Sequence, residues 1–250
     1  QDGTKAIRVK NTKTQYNEHS TPIFLTSSFT FESAEDMRAA FADEVETTVY
    51  SRFVNPNYSE LVNKMCALEG TEAGYATATG MAAIFASMVA VVGNGDHIVS
   101  CRSIFGASHT MLTEVLPRFG ITYTYVDVKA TEAEWEDAIQ ENTKMICLET
   151  PTNPGVNIVD LERIGRIGKK HGVLTNVDNC FATPYLQKPT EYGIDVVTHS
   201  ATKYIDGQGR VMGGLVLGPC DYIKKVETFC RSTGPAISPF NAWTLSKSLE

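Results

Sequence analysis

From Glu72 to Gly218 the chain alternates short apolar, strand-like runs with longer segments of helical period, and this alternation limits its fold more than any other feature. "EAGYATATG" leads into "MAAIFASMVAVVG", "DHIVSC" into "FGASHTMLTEVLPRFG", "ITYTYVDV" into "TEAEWEDAIQ", and "TKMICLET" into "DLERIGRIGKKHG". "VLTNVD", "DVVTHS" and "GGLVLG" follow. In the fourth helical segment Leu161, Ile164 and Ile167 recur at three-residue steps with charges opposite, the pattern of a helix with one buried face. Repeated units of this kind predict an α/β architecture, a mostly parallel sheet between layers of helices. Residues 1–49 are polar and irregular, with one helical patch at Ser33–Asp43. They are expected to form an N-terminal arm, and residues 50–250 the large domain. "AWTLSKSLE" at the end reads as a helix without a stop signal, so the natural chain is expected to continue past Glu250.

Bulk properties remove several function classes. The net charge is −7, with acids and bases interleaved, which argues against a nucleic-acid or anionic-membrane partner. The longest apolar run, Met81–Val92, is too short to cross a bilayer. Six scattered cysteines without a CxxC pair suit buried free thiols in a reducing cytoplasm. The five histidines lack metal-site spacing, so no metal is expected.

In parallel α/β sheets ligands gather beyond the carboxyl ends of the strands, so residues at those points carry the functional reading. Lys203, in "SATKYIDGQGR", follows the strand-like "DVVTH", and Asp178 follows "VLTNV". Singly, these are an ordinary surface lysine and a turn-capping aspartate. Together they match the needs of pyridoxal 5'-phosphate: an amine that condenses with an aldehyde, and a carboxylate that keeps the ring nitrogen protonated. Its phosphate needs backbone N–H groups, which Gly80 and Met81 supply where a strand opens into a helix. Ser200 and Thr202 offer two hydroxyls beside the lysine. In "YSRFVNPN", Tyr50 and Arg52 share a face if the segment is extended, and Arg52 could bind phosphate with two parallel hydrogen bonds. Phe105 could stack on the ring or lie in the core. The Asn153 amide could reach the cofactor's phenolic oxygen or a substrate carboxylate, although Asn-Pro is also a turn signal. The glycines do not form GxGxxG, which gives a dinucleotide-binding oxidoreductase little support.

In order along the chain, "YSRFVNPN", "ATGMAA", "ETPTNP", "VDNCFATP" and "HSATKYIDGQGRVMGG" resemble the motifs of the Cys/Met-metabolism family of pyridoxal-phosphate enzymes, from about Glu18 to the end. This family includes cystathionine γ-synthase, cystathionine γ-lyase, methionine γ-lyase and the homoserine sulfhydrylases. The resemblance implies a fold-type-I, aspartate aminotransferase-like large domain. It makes Lys203 the Schiff-base lysine and Asp178 the pyridinium partner, with Gly80, Met81, Ser200 and Thr202 on the phosphate. Tyr50 and Arg52 would reach the phosphate of a neighbouring subunit, implying a homo-oligomer, a tetramer built of dimers that share active sites. Most branches carry a tyrosine where this chain has Phe105. That phenylalanine, with "DGQGRVMGG" and "GPAISPFNAW", resembles the O-succinylhomoserine sulfhydrylase branch. The implied reaction is γ-replacement on an activated homoserine ester with sulfide, giving homocysteine in methionine biosynthesis. The alternatives are cystathionine γ-synthase and a methionine or cystathionine γ-lyase. The family's small C-terminal domain, with its arginine for the substrate carboxylate, is not within residues 1–250.

Overall fold

A seven-stranded sheet runs through the middle of the computed structural model, which describes residues 1–45 and 47–250. Its strands are β1 (Ala73–Thr77), β2 (His97–Cys101), β3 (Thr122–Val126), β4 (Thr143–Glu149), β5 (Leu174–Asp178), β6 (Val196–Ser200) and β7 (Gly214–Gly218), in the spatial order β1-β7-β6-β5-β4-β2-β3. From β3 across to β6 every pairing is parallel, as the repeated βα units predict. β7 is the exception, antiparallel to both β6 and β1. The link from β6 to β7 is a loop with no helix, so the chain turns back beside β6 instead of crossing over it.

The helices are α1 (Asp2–Arg8), α2 (Ala34–Phe41), α3 (Pro56–Glu69), α4 (Gly80–Val89), α5 (Gly106–Thr110), α6 (Glu132–Asp137), α7 (Leu161–His171), α8 (Thr183–Leu186), α9 (Cys220–Thr233) and α10 (Pro239–Ser248). Strand residues pass alternately to the two faces of the sheet. Ile98, Met145 and Cys147 join a cluster with α4 and α9, while Val99, Ile146 and Leu148 join one with Trp135 and α7. On α7, Leu161, Ile164 and Ile167 are all buried, and each such side chain contributes roughly 1.5–3 kcal/mol. The Asp160 carboxylate accepts from the Arg163 N–H to start α7, and Gly172, at φ 65°, ends it. The segment after Phe105 begins as α5, widens into a π-helical turn at Met111–Val115 and closes as a 3-10 turn at Leu116–Phe119. Pro117, with no N–H to donate, prevents an unbroken α-helix there.

Two helices fall where the sequence shows no clear apolar period. α3 is one, because its polar residues are buried to hold the arm. Asn57 accepts from the Phe24 N–H at 2.7 Å and donates to the Pro22 carbonyl at 2.8 Å, and Glu60 accepts from Thr21. α1 is the other, anchored by buried Ala6 and by Lys5, which donates to the Ala67 carbonyl. The helical patch in the arm is α2, whose cap is Ser33. The "YSRF" segment is a turn, not an extended run: the Phe53 N–H closes on the Tyr50 carbonyl, and the Arg52 guanidinium folds back to 5.3 Å from the Tyr50 ring centre.

All six cysteines are free; four are buried, Cys66 is half-buried and Cys220, on the first turn of α9, is exposed. Among the described residues no helix is long and apolar enough to cross a membrane. Among the described residues no cluster of His, Cys, Asp and Glu could hold a metal ion.

Candidate active site

Five strands deliver their carboxyl ends to one cleft of about 420 Å³. Gly80 and Met81 come from the end of β1, Phe105 from β2, Glu149 and Asn153 from β4, Asp178 and Cys180 from β5, and Ser200, Thr202 and Lys203 from β6. The loop after Lys203 covers one side through Tyr204, Gly207 and Gly209. Both glycines have positive φ, 69° and 66°, which lets the loop turn sharply over the cleft.

Lys203 is exposed into this cleft, and among the described residues its amine has no hydrogen-bond or ion-pair partner. Asp178 closes the floor. It accepts from the Cys180 N–H at 3.0 Å and has no cation in contact among the described residues. Burial pushes its carboxyl above the usual range, against the opposing pull of His199 and the Cys180 N–H.

The start of α4 meets the end of β6 at Gly80. A Cβ there would lie 2.5 Å from the Ser200 Cβ and 2.8 Å from its Cα, so only glycine allows this approach. The Thr79 hydroxyl caps the Ala82 N–H, leaving the Gly80 and Met81 amides without an acceptor among the described residues. The Ser200 hydroxyl beside them is also unpaired among those residues. The Thr202 hydroxyl differs from the sequence-based expectation. It donates to the Gly213 carbonyl and accepts from the Gly213 N–H, at 3.2 and 3.1 Å, and so pins the base of the glycine loop. Phe105 is 41% exposed, so it is not a core residue.

Tyr50 and Arg52 do not enter this cleft. They line a separate groove with Phe29, Met37 and Phe41, and Arg52 donates to the Arg231 carbonyl. Glu149, Cys180 and Tyr204 are the titratable cleft residues that sequence reasoning passed over. Glu149 is the last residue of β4 and pairs in register with Asp178. Burial, then the Asp178 charge, push it up to about 7, although the Phe105 N–H donates to it. Its signal in the sequence is its position at the end of "TKMICLE", just before the loop that holds Asn153.

Such an α/β sheet, with an unpaired lysine and a half-buried carboxyl lining one strand-end cleft, defines a pyridoxal-phosphate enzyme of fold type I. The chain belongs to the Cys/Met metabolism PLP-dependent enzymes, whose family model matches residues 3–250, and its cofactor is pyridoxal 5'-phosphate. It is 45% identical over 247 residues to an O-succinylhomoserine sulfhydrylase of Pseudomonas aeruginosa, covering 99% of this chain and 61% of that protein. It is 40% identical over 250 residues to an L-methionine gamma-lyase of Porphyromonas gingivalis, covering 99% and 62%. The chain thus spans about six tenths of the length of these relatives. The crystal structure of a Campylobacter jejuni protein described as an O-acetylhomoserine (thiol)-lyase superimposes with a TM-score of 0.95 at 29% identity, over 99% of this chain and 70% of that one. It carries N'-pyridoxyl-lysine-5'-monophosphate.

Proposed function

We propose that the protein catalyses γ-replacement on O-succinylhomoserine with sulfide, releasing succinate and forming homocysteine for methionine biosynthesis. The observation that carries this reading is the cleft itself: one amine, the Asp178 carboxyl at a neighbouring strand end, a free N-terminal helix turn, and an exposed phenylalanine. The 45% identity to an O-succinylhomoserine sulfhydrylase supports the choice of reaction.

The cleft fits the cofactor. A Cβ at Gly80 would fill the corner where two free amides and the Ser200 hydroxyl meet, which is what a phosphate requires. Asp178, half-buried and without a cation in contact among the described residues, suits a positively charged ring nitrogen. Lys203 would hold the cofactor's carbonyl carbon, and the half-buried Asn153 amide could meet its phenolic oxygen. Pyridoxal 5'-phosphate then supplies a carbonyl that captures the substrate amine and a ring that takes up an electron pair.

This chain's residues do the rest. The Lys203 amine, once free, would take the proton from Cα of the substrate and serve Cβ in turn. Asp178 would keep the ring nitrogen positive. Phe105 would cover the ring and shield it from water, but brings no hydroxyl that could carry a proton. At Cγ the carbon–oxygen bond breaks, succinate leaves with the electron pair, and the sulfide sulfur bonds to the same carbon.

Tyr50 and Arg52 lie outside their own chain's cleft, on a groove of exposed apolar residues. That placement supports a homo-oligomer in which they complete a neighbour's phosphate site. Small-molecule substrates and a tetramer of such dimers are part of the same reading.

Product analysis tests the reaction. With O-succinylhomoserine and sulfide, homocysteine and succinate are expected, faster than with O-acetylhomoserine or with cysteine as the thiol. Cystathionine as the main product would move the protein to the synthase reading. Ammonia and 2-oxobutyrate released without a thiol would favour a lyase, the reaction named for the 40% identical relative.

A further inference from the structure

We propose that Glu149 is a positioning residue for the cofactor: from the strand end beside Asp178, its carboxyl holds the turn that carries Phe105 and so fixes the phenylalanine's contact to the ring. Glu149 ends β4 and pairs in register with Asp178 at the end of β5. Neighbouring strands lie about 4.8 Å apart, which sets these two side chains next to each other on one face of the sheet. From the other side, the Phe105 N–H donates to Glu149 Oε2 at 2.6 Å.

That bond matters because little else holds Phe105. Its ring is 41% exposed, so core packing does not orient it. It stands at the head of α5, a helix of five residues with no side-chain cap. The path of the turn therefore depends on where its first N–H goes.

Glu149 is also costly to keep. It is 5% exposed and makes no ion pair among the described residues, and a buried carboxyl without a counter-charge destabilises a fold. Burial and the Asp178 charge accordingly push it up to about 7, so the two carboxyls are not both fully charged at neutral pH. A leucine would fill the same space at no such cost. The carboxyl oxygen is the feature that leucine lacks, and the Phe105 N–H is what uses it.

Two substitutions separate positioning from packing. Glu149→Leu keeps the volume and removes both the acceptor and the buried charge, a change the fold should tolerate. Glu149→Gln keeps an acceptor oxygen for the Phe105 N–H. Each protein is titrated with pyridoxal 5'-phosphate, and the visible circular dichroism of the bound cofactor is recorded. Glu149→Leu should bind the cofactor about tenfold more weakly and lose most of the visible dichroism, while its far-ultraviolet spectrum stays unchanged. Glu149→Gln should restore both. In a Phe105→Ala background the Glu149→Leu loss should largely vanish, because the two residues act as one unit. Unchanged affinity and dichroism in Glu149→Leu would overturn the proposal. So would equal damage in Glu149→Gln, or full additivity with Phe105→Ala.

Discussion

Lys203→Ala should cut turnover by about 10³-fold or more while leaving the fold intact. The side chain is exposed into the cleft and makes no hydrogen bond or ion pair among the described residues, so its loss removes no structural contact. Its chemistry is harder to replace. Asp178 faces the place of the ring nitrogen in the proposed reading, and Glu149 is engaged by the Phe105 N–H. Burial pushes the Cys180 thiol up to about 12, which leaves it protonated at neutral pH. The Lys203 amine is thus the base suited to the α-proton, and general base catalysis of this kind is worth about 10²–10⁴-fold. Losing its bond to the cofactor adds to the effect. Steady-state kinetics and a melting curve check both halves. A variant within tenfold of wild-type turnover would remove Lys203 from the chemistry.

Glu69→Ala should destabilise the protein by about 3–5 kcal/mol, although Glu69 lies outside the cleft. This carboxylate, at the end of α3, is fully buried, and its Oε1 accepts from His199 Nε2 at 2.6 Å and from Asn179 Nδ2 at 2.9 Å. Asn179 follows Asp178, and His199 precedes Ser200. Asn179 also pairs with Gln187, whose amide donates to the Thr150 carbonyl at 2.8 Å. One carboxylate therefore braces the carboxyl ends of β4, β5 and β6, which deliver Asn153, Asp178 and Lys203. Alanine would leave the buried His199 ring, whose Nδ1 is already unpaired among the described residues, without a side-chain partner and would take one acceptor from Asn179, the expensive way to break such a network. Glu69→Gln, which keeps an acceptor oxygen, should lose less. Denaturant unfolding measures this directly. A loss below about 1 kcal/mol for Glu69→Ala would mean that the three loops are braced some other way.

The mostly parallel α/β sheet and the strand ends that meet in the cleft were legible because βα repetition and apolar period leave few alternatives. Val99 and Ile146 on one face and Ile98 and Met145 on the other follow from alternation alone. What stayed hidden depends on pairing between distant segments. The reversal of β7 is decided by a loop in which glycines and Thr202 set the path, and no period encodes that. α3 was missed because Asn57 and Glu60 are buried to grip the arm, which blurs the apolar stripe. Glu149 looked like an ordinary strand-terminal acid until its register with Asp178 was known. Tyr50 and Arg52 illustrate the opposite case. Their residue types suit a phosphate, yet the turn that holds them faces away from their own cleft.

The central claim, that the Lys203 amine holds the cofactor over Asp178, is tested most directly by borohydride reduction of the cofactor-loaded protein followed by peptide mapping. The pyridoxyl label should appear on the peptide that contains Lys203, and Lys203→Ala should abolish it. A label on a different lysine, with Lys203 unmodified, would contradict the claim.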